Sequence, residues 1–217
     1  KDFLNAAIIS LEAVITFSKR YATLARKSAA RQKNAARKKI LTEIAATCER
    51  VPEQPPRTFI EAVQFFYFIH LVRYLEYSTL GIGIRIDQLF GPYYEKDLNE
   101  GRITQDETLG ILQLLWIKLN ELGLVYSPTV SSVYGGVASL QAVTIGGTDE
   151  NGRDVTNDLT YLTMEAARSL KIIEPSIVLR MHDKTPDDVY SKAADVIKTG
   201  IGYPSLFNDD ALIPLFE

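Results

Sequence analysis

The side chains able to do chemistry fall in short runs separated by apolar stretches: Arg85-Ile86-Asp87-Gln88, Gln141-Ala142-Val143-Thr144-Ile145-Gly146-Gly147, Arg180-Met181-His182 and Phe207-Asn208-Asp209-Asp210. His70 and His182 are the two histidines and Cys48 the single cysteine, with no second nitrogen or sulfur at ligand spacing. Zinc chemistry needs more such ligands, so no metal site is expected and His182 reads as a polar residue ending a strand. A P-loop is absent, and Gly81-Ile82-Gly83, Gly135-Gly136 and Gly146-Gly147 each lack the third glycine of a dinucleotide fingerprint. Cys48, with Glu49 and Arg50 beside it and no local histidine, reads as a helical packing residue. Arg85 and Asp87 stand two apart, so on a strand they would share a face; a structural polar network is favoured over direct catalysis. Asn208, Asp209 and Asp210 follow an apolar run, where shaping a turn or capping a helix is favoured over acid–base work.

These residues need a scaffold, and the chain can supply one. Its 217 residues are 46% apolar and 24% charged, ordinary for a globular protein. With 24 basic and 27 acidic residues the net charge is −3, which gives no overall electrostatic case for nucleic acid or an anionic membrane. One cysteine excludes an internal disulfide framework and suits a reducing compartment. The most apolar window, Ala62 to Val72, covers about eleven residues, against the roughly 18 to 20 of a bilayer-crossing helix. No secretory signal is visible, a cytoplasmic location is expected, and the opening Lys1-Asp2 leads us to expect a further upstream portion.

Residues 1–76 read as mainly helical. From Asp2 to about Arg50, Phe3, Ala7, Leu11, Val14, Ile15 and Ser18 recur at helical spacing. Between Glu12 and Glu43 there are bases and no acids, either a docking surface or, as favoured, a solvated helix face. Pro52, Pro55 and Pro56 end this helix in an extended linker, and Thr58 with Glu61 has the spacing of a capping box for a buried helix from Phe59 to Glu76, in which His70 and Gln64 need partners.

Residues 77–217 alternate. Leu80 to Gln88 read as a strand or loop in close backbone contact, Gly91-Pro92 as a turn, and Tyr93 to Glu100 as a short helix. Thr104 and Glu107 form a second capping box, for a helix reaching about Leu122. A buried strand is expected at Ala142–Ile145, a turn at Asp149–Asp154, a helix capped by Asn157 or Asp158, a second strand at Ser176–Arg180, a helix with Pro186 at its first position, and a third buried extended piece from Tyr203 to Phe207. Such alternation favours an α/β fold with parallel strands, helices outside and a site where the strands end.

In number and order, several segments resemble the glycyl radical enzymes, the pyruvate formate-lyase-like family: Cys48-Glu49-Arg50-Val51-Pro52, Pro56 to Gln64, Arg85 to Tyr94, Trp116 to Glu121, Val143 to Gly147 and Phe207 to Asp210. The resemblance implies that residues 1–217 are part of a ten-stranded barrel of two parallel half-barrels, with 77–217 supplying much of the first half. It implies thiyl-radical-initiated lyase chemistry, cleaving C–C, C–O or C–N bonds of a small organic substrate, in an anaerobic setting.

No catalytic residue is then expected within this chain. The thiyl-forming cysteine would lie downstream of Glu217 and the radical-storing glycine near the far C-terminus, so the fragment alone would be inactive. No cofactor is bound directly; an activating enzyme carrying an iron–sulfur cluster and S-adenosylmethionine would install the glycyl radical, and a homodimer is expected. The resemblance assigns substrate contacts to Ser78 or Thr79 and to Leu140, and places Arg85, Asp87, His182 and Asn208 as polar groups near the site. The sequence Leu80-Gly81-Ile82-Gly83-Ile84 and Leu140 depart from the wording of glycerol and choline lyases, which points to a less polar or larger substrate, such as an arylacetate undergoing decarboxylation. The rival reading is a non-catalytic helical scaffold or interaction module, motivated by the basic helix.

Overall fold

The computed structural model describes residues 1–76, 83–122, 127–134 and 141–216, leaving aside the side chains of Glu76, Val130 and Tyr134. The chain divides into two compact units, Lys1–Glu76 and Tyr77–Glu217.

In the first unit, α1 (Asp2–Arg31), α2 (Ala35–Arg50) and α3 (Phe59–Glu76) pack on one another. The expected single helix from Asp2 to Arg50 is two: Gln32 turns the chain out of helical geometry, and the Asn34 side chain accepts from the Arg37 amide to start α2. The break lets α2 fold back on α1, so that Val14, Ala22, Cys48 and Phe68 bury together, with Phe17 meeting Phe68 edge-on at 6.2 Å. Phe3 and Leu11, expected on the buried face, are exposed. Three of the bases pair with acids of the same unit, Lys19 with Glu53, Arg26 with Glu49 and Lys39 with Glu43. At the start of α3 only half of the expected capping box forms. The Glu61 amide donates to Thr58 Oγ1, but the Glu61 carboxylate accepts from the Arg57 amide and is braced by the Arg50 and Arg57 guanidiniums. His70 stacks on Phe66 at 5.8 Å and meets Tyr74 at a tilt at 6.0 Å, and Gln64 is half-buried.

The second unit holds α4 (Ile86–Asn99), α5 (Gln105–Asn120), α6 (Pro128–Tyr134), β1 (Ala142–Gly146), α7 (Asp158–Leu170), β2 (Ser176–Met181), α8 (Asp187–Ile197), β3 (Ser205–Asn208) and α9 (Asp209–Leu212). The strands pair in parallel in the order β1-β2-β3, with Thr144 beside Val178 and Arg180 beside Phe207. Residues 83–85 add a short parallel contact on the free side of β1: the Gly83 amide donates to Ala142, the Thr144 amide donates to Ile84, and Arg85 bridges Thr144. The expected α/β architecture is therefore observed, and a purely helical scaffold is not. A period of two puts Val143, Ile145, Ile177 and Leu179 on the face that is fully buried, while Thr144, Val178 and Arg180 occupy the other.

Five local readings change. Gly91-Pro92 lies inside α4, where the cost of an interior proline, about 3 kcal/mol, is offset by burying Ile86, Phe90 and Tyr94 along one side. Arg85 and Asp87 lie at the N-terminus of that helix, not on a strand. Helix α6 was not foreseen in a segment rich in small residues, and Pro186 stands one position before α8 instead of within it. Of the extended piece expected to be buried from Tyr203 to Phe207, Tyr203 and Pro204 are buried, whereas all four residues of β3 are exposed. The capping of α5 by Thr104 and Glu107 and of α7 by Asn157 is as the spacing predicts.

Candidate active-site wall at the ends of the parallel strands

The polar groups converge where β1, β2 and β3 end. Beyond β1, Gly146 and Gly147 both have positive φ, 68° and 85°. A Cβ on Gly146 would lie 2.8 Å from the Arg180 carbonyl oxygen, and one on Gly147 2.7 Å from Asp209 Oδ2, so only glycine fits either place. The turn is held from both sides by the start of α4: Arg85 donates to the carbonyls of Gly146 (2.6 Å) and Thr148 (2.9 Å), while Asp87 accepts from the Gly146 amide (2.7 Å) and from Thr160 Oγ1 (2.8 Å). Arg85 and Asp87 thus meet through the backbone of Gly146. Burial drives the Asp87 carboxyl above its ordinary range, against the hydrogen bonds from Gly146, Thr160 and Gln88. Burial, then the nearby Arg180, lowers the Arg85 guanidinium, although Asp87 and Asp209 work the other way.

Arg180, from β2, and Asp209, the first residue of α9, form a two-pronged pair, Nε to Oδ1 at 2.7 Å and Nη2 to Oδ2 at 2.9 Å. Asp209 Oδ2 also accepts from the Thr148 amide at 3.1 Å. These side chains border an open cavity of about 370 Å³ whose wall includes Thr144, Val178 and Phe207 from the three strands and Leu212 from α9. Such a wall, mostly apolar with one fixed ion pair, suits a small organic molecule.

His182 follows β2 and is buried. Its Nδ1 accepts from the Lys184 amide (3.2 Å), which leaves Nε2 to donate to Asp154 Oδ1 (2.9 Å), tying the loop after β2 to the turn after β1. Asn208 caps α9 by accepting from the Asp210 amide. Ser78, Thr79 and Leu140 lie outside the described residues. Cys48 belongs to the other unit, and burial pushes its thiol up to about 11, which makes it a poor nucleophile. Among the described residues no three His, Cys, Asp or Glu side chains gather as metal ligands, and no helix is long and apolar enough to cross a membrane.

The sequence reading missed the pairing of Arg180 with Asp209 and of His182 with Asp154. The available signal was charge placed at the ends of apolar strands, which fixes the layer of each residue and leaves its partner open.

The family model for pyruvate formate lyase-like proteins matches residues 1–217. Isethionate sulfite-lyase of Nitratidesulfovibrio vulgaris is 41% identical over all of this chain and 26% of its own length. A solved structure describing 1,2-propanediol dehydration in Roseburia inulinivorans superposes with a TM-score of 0.94 at 36% identity, over 99% of this chain and 27% of that one. The glycerol-bound B12-independent glycerol dehydratase of Clostridium butyricum gives 0.92 at 37% identity, with the same coverage. The chain therefore spans about a quarter of the length of the relatives it matches. With its parallel strands, its glycine turn and a match along the whole sequence, the chain belongs to the pyruvate formate lyase-like family of glycyl radical enzymes.

Proposed function

We propose that this chain forms one wall of the reaction chamber of a glycyl radical lyase, within a ten-stranded barrel whose thiyl-forming cysteine and radical glycine lie in other parts of the protein. The observation that carries the reading is the parallel sheet whose open face, Thr144, Val178, Arg180 and Phe207, borders a cavity at the strand ends. A radical intermediate must be kept from water and oxygen, and a wall of this kind supplies shape and a fixed electrostatic frame without itself donating electrons or protons. The chemistry is removal of a group beside a hydroxyl-bearing carbon, as the names of the relatives that act on isethionate and on 1,2-propanediol suggest. Ser78, Thr79 and Leu140 are proposed substrate contacts on the family resemblance. The whole enzyme is proposed to be a cytoplasmic homodimer activated by a radical S-adenosylmethionine enzyme.

The test is electron paramagnetic resonance on the full-length protein, purified without oxygen and treated with its activating enzyme and S-adenosylmethionine. An organic radical that appears only on activation and is lost in air is expected, together with release of sulfite from isethionate or of an aldehyde from 1,2-propanediol. Absence of any such radical after treatment in which the activating enzyme has demonstrably cleaved S-adenosylmethionine would overturn the reading.

A further inference from the structure

The stretch from Ser205 to Phe216 has a single buried residue, and it is a charged one. All four residues of β3 are exposed, as are most of those that follow, whereas Asp209 is only 3% exposed. Its carboxylate takes Nε and Nη2 of Arg180 and the amide of Thr148. Those donors come from the ends of β2 and β1, and the acceptor begins the segment that leaves β3, so a single side chain joins the exits of all three strands. Its seat is shaped for it, since a Cβ on Gly147 would fall 2.7 Å from Oδ2. The segment it anchors is also functional wall, because Leu212, Ile213 and Phe216 border the same cavity as Arg180.

We infer that Asp209 is a positioning residue, setting the path by which the chain leaving β3 lines the reaction chamber. This rests on the proposed lyase reading, in which the thiyl-forming loop follows this segment. A carboxamide at 209 keeps the size but has one acceptor oxygen, and its NH₂ faces the N–H groups it should accept from. The segment then loses its anchor while the sheet keeps its apolar face. Misplacement by about 1 Å of a group that frames a reacting centre costs on the order of a hundredfold in rate.

The experiment uses the full-length protein and the variants Asp209→Asn and Asp209→Glu. Hydrogen–deuterium exchange of the resting protein needs no substrate. For Asp209→Asn, amides of residues 209–216 should exchange about tenfold faster or more while those of β1 and α7 keep their protection. In the activated enzyme, with isethionate and 1,2-propanediol as probes, Asp209→Asn should lower kcat on the order of 10- to 100-fold with KM within about twofold and the radical yield unchanged, and Asp209→Glu should recover part of kcat. Unchanged exchange over 209–216 would overturn the inference, and so would a loss that falls on KM or on global stability alone. Wild-type protein without radical or turnover would overturn the lyase reading instead, and the exchange result would still decide the role of Asp209.

Discussion

Gly147 and Gly152 share a positive φ, 85° and 70°, and differ in what surrounds them. Nothing lies within 4 Å of a Cβ on Gly152, whereas one on Gly147 meets Asp209 Oδ2, Arg180 Cβ and Arg180 Nε at 2.7 to 3.0 Å. Gly152→Ala should therefore cost only the backbone term, about 1 kcal/mol, and Gly147→Ala on the order of 3 kcal/mol, because it also separates a partly buried ion pair. Denaturant unfolding of the two variants checks the contrast, and equal losses would show that the pair tolerates displacement. At this scale residue types were legible and partners were not. Arg85 and Asp87 could be read as a polar network, but Asp87 bonds Gly146 and Thr160, 59 and 73 residues away, and no local spacing encodes such distances.

Helix starts were written most clearly, since a cap is local: Thr104 with Glu107 and Asn157 with Thr160 satisfy amides within three residues. Breaks decided by packing were less so, as the fold-back of α2 on α1 and the passage of α4 through Pro92 show. A tie between elements also gives a pH signature. Glu165 of α7 is held down to about 2, first by the hydrogen bond from Arg168 of its own helix and then by Lys192 of α8. A carboxyl whose folded value lies below its unfolded value adds stability that is complete above about 4.5 and disappears as pH falls toward 2. Glu165→Gln should accordingly flatten the fall of Tm between pH 4.5 and 2 while lowering Tm slightly at neutral pH. Parallel Tm curves for the two proteins across that window would rule out the contribution.

At the scale of the molecule, β3 offers an unpaired edge among the described residues, with Leu206 49% and Phe207 43% exposed. A strand edge with apolar side chains is a template for pairing. The 217-residue chain on its own should therefore associate with rising concentration, and Leu206→Lys should reduce that association; sedimentation velocity would refute this if both proteins stayed monomeric. The sequence by itself determined the class of fold, the capped starts of α5 and α7, the parallel alternation after residue 140 and the family, because propensity, capping and apolar period act over a few residues and motif order survives without coordinates. Tertiary structure alone decided that Arg85, Asp87, Arg180 and Asp209 enclose one glycine turn and that the Asp209 carboxylate bonds both Arg180 of β2 and the Thr148 amide beyond β1. Each of these depends on which distant segments pack side by side, and that is set by the summed burial of the unit, which no single stretch of sequence contains.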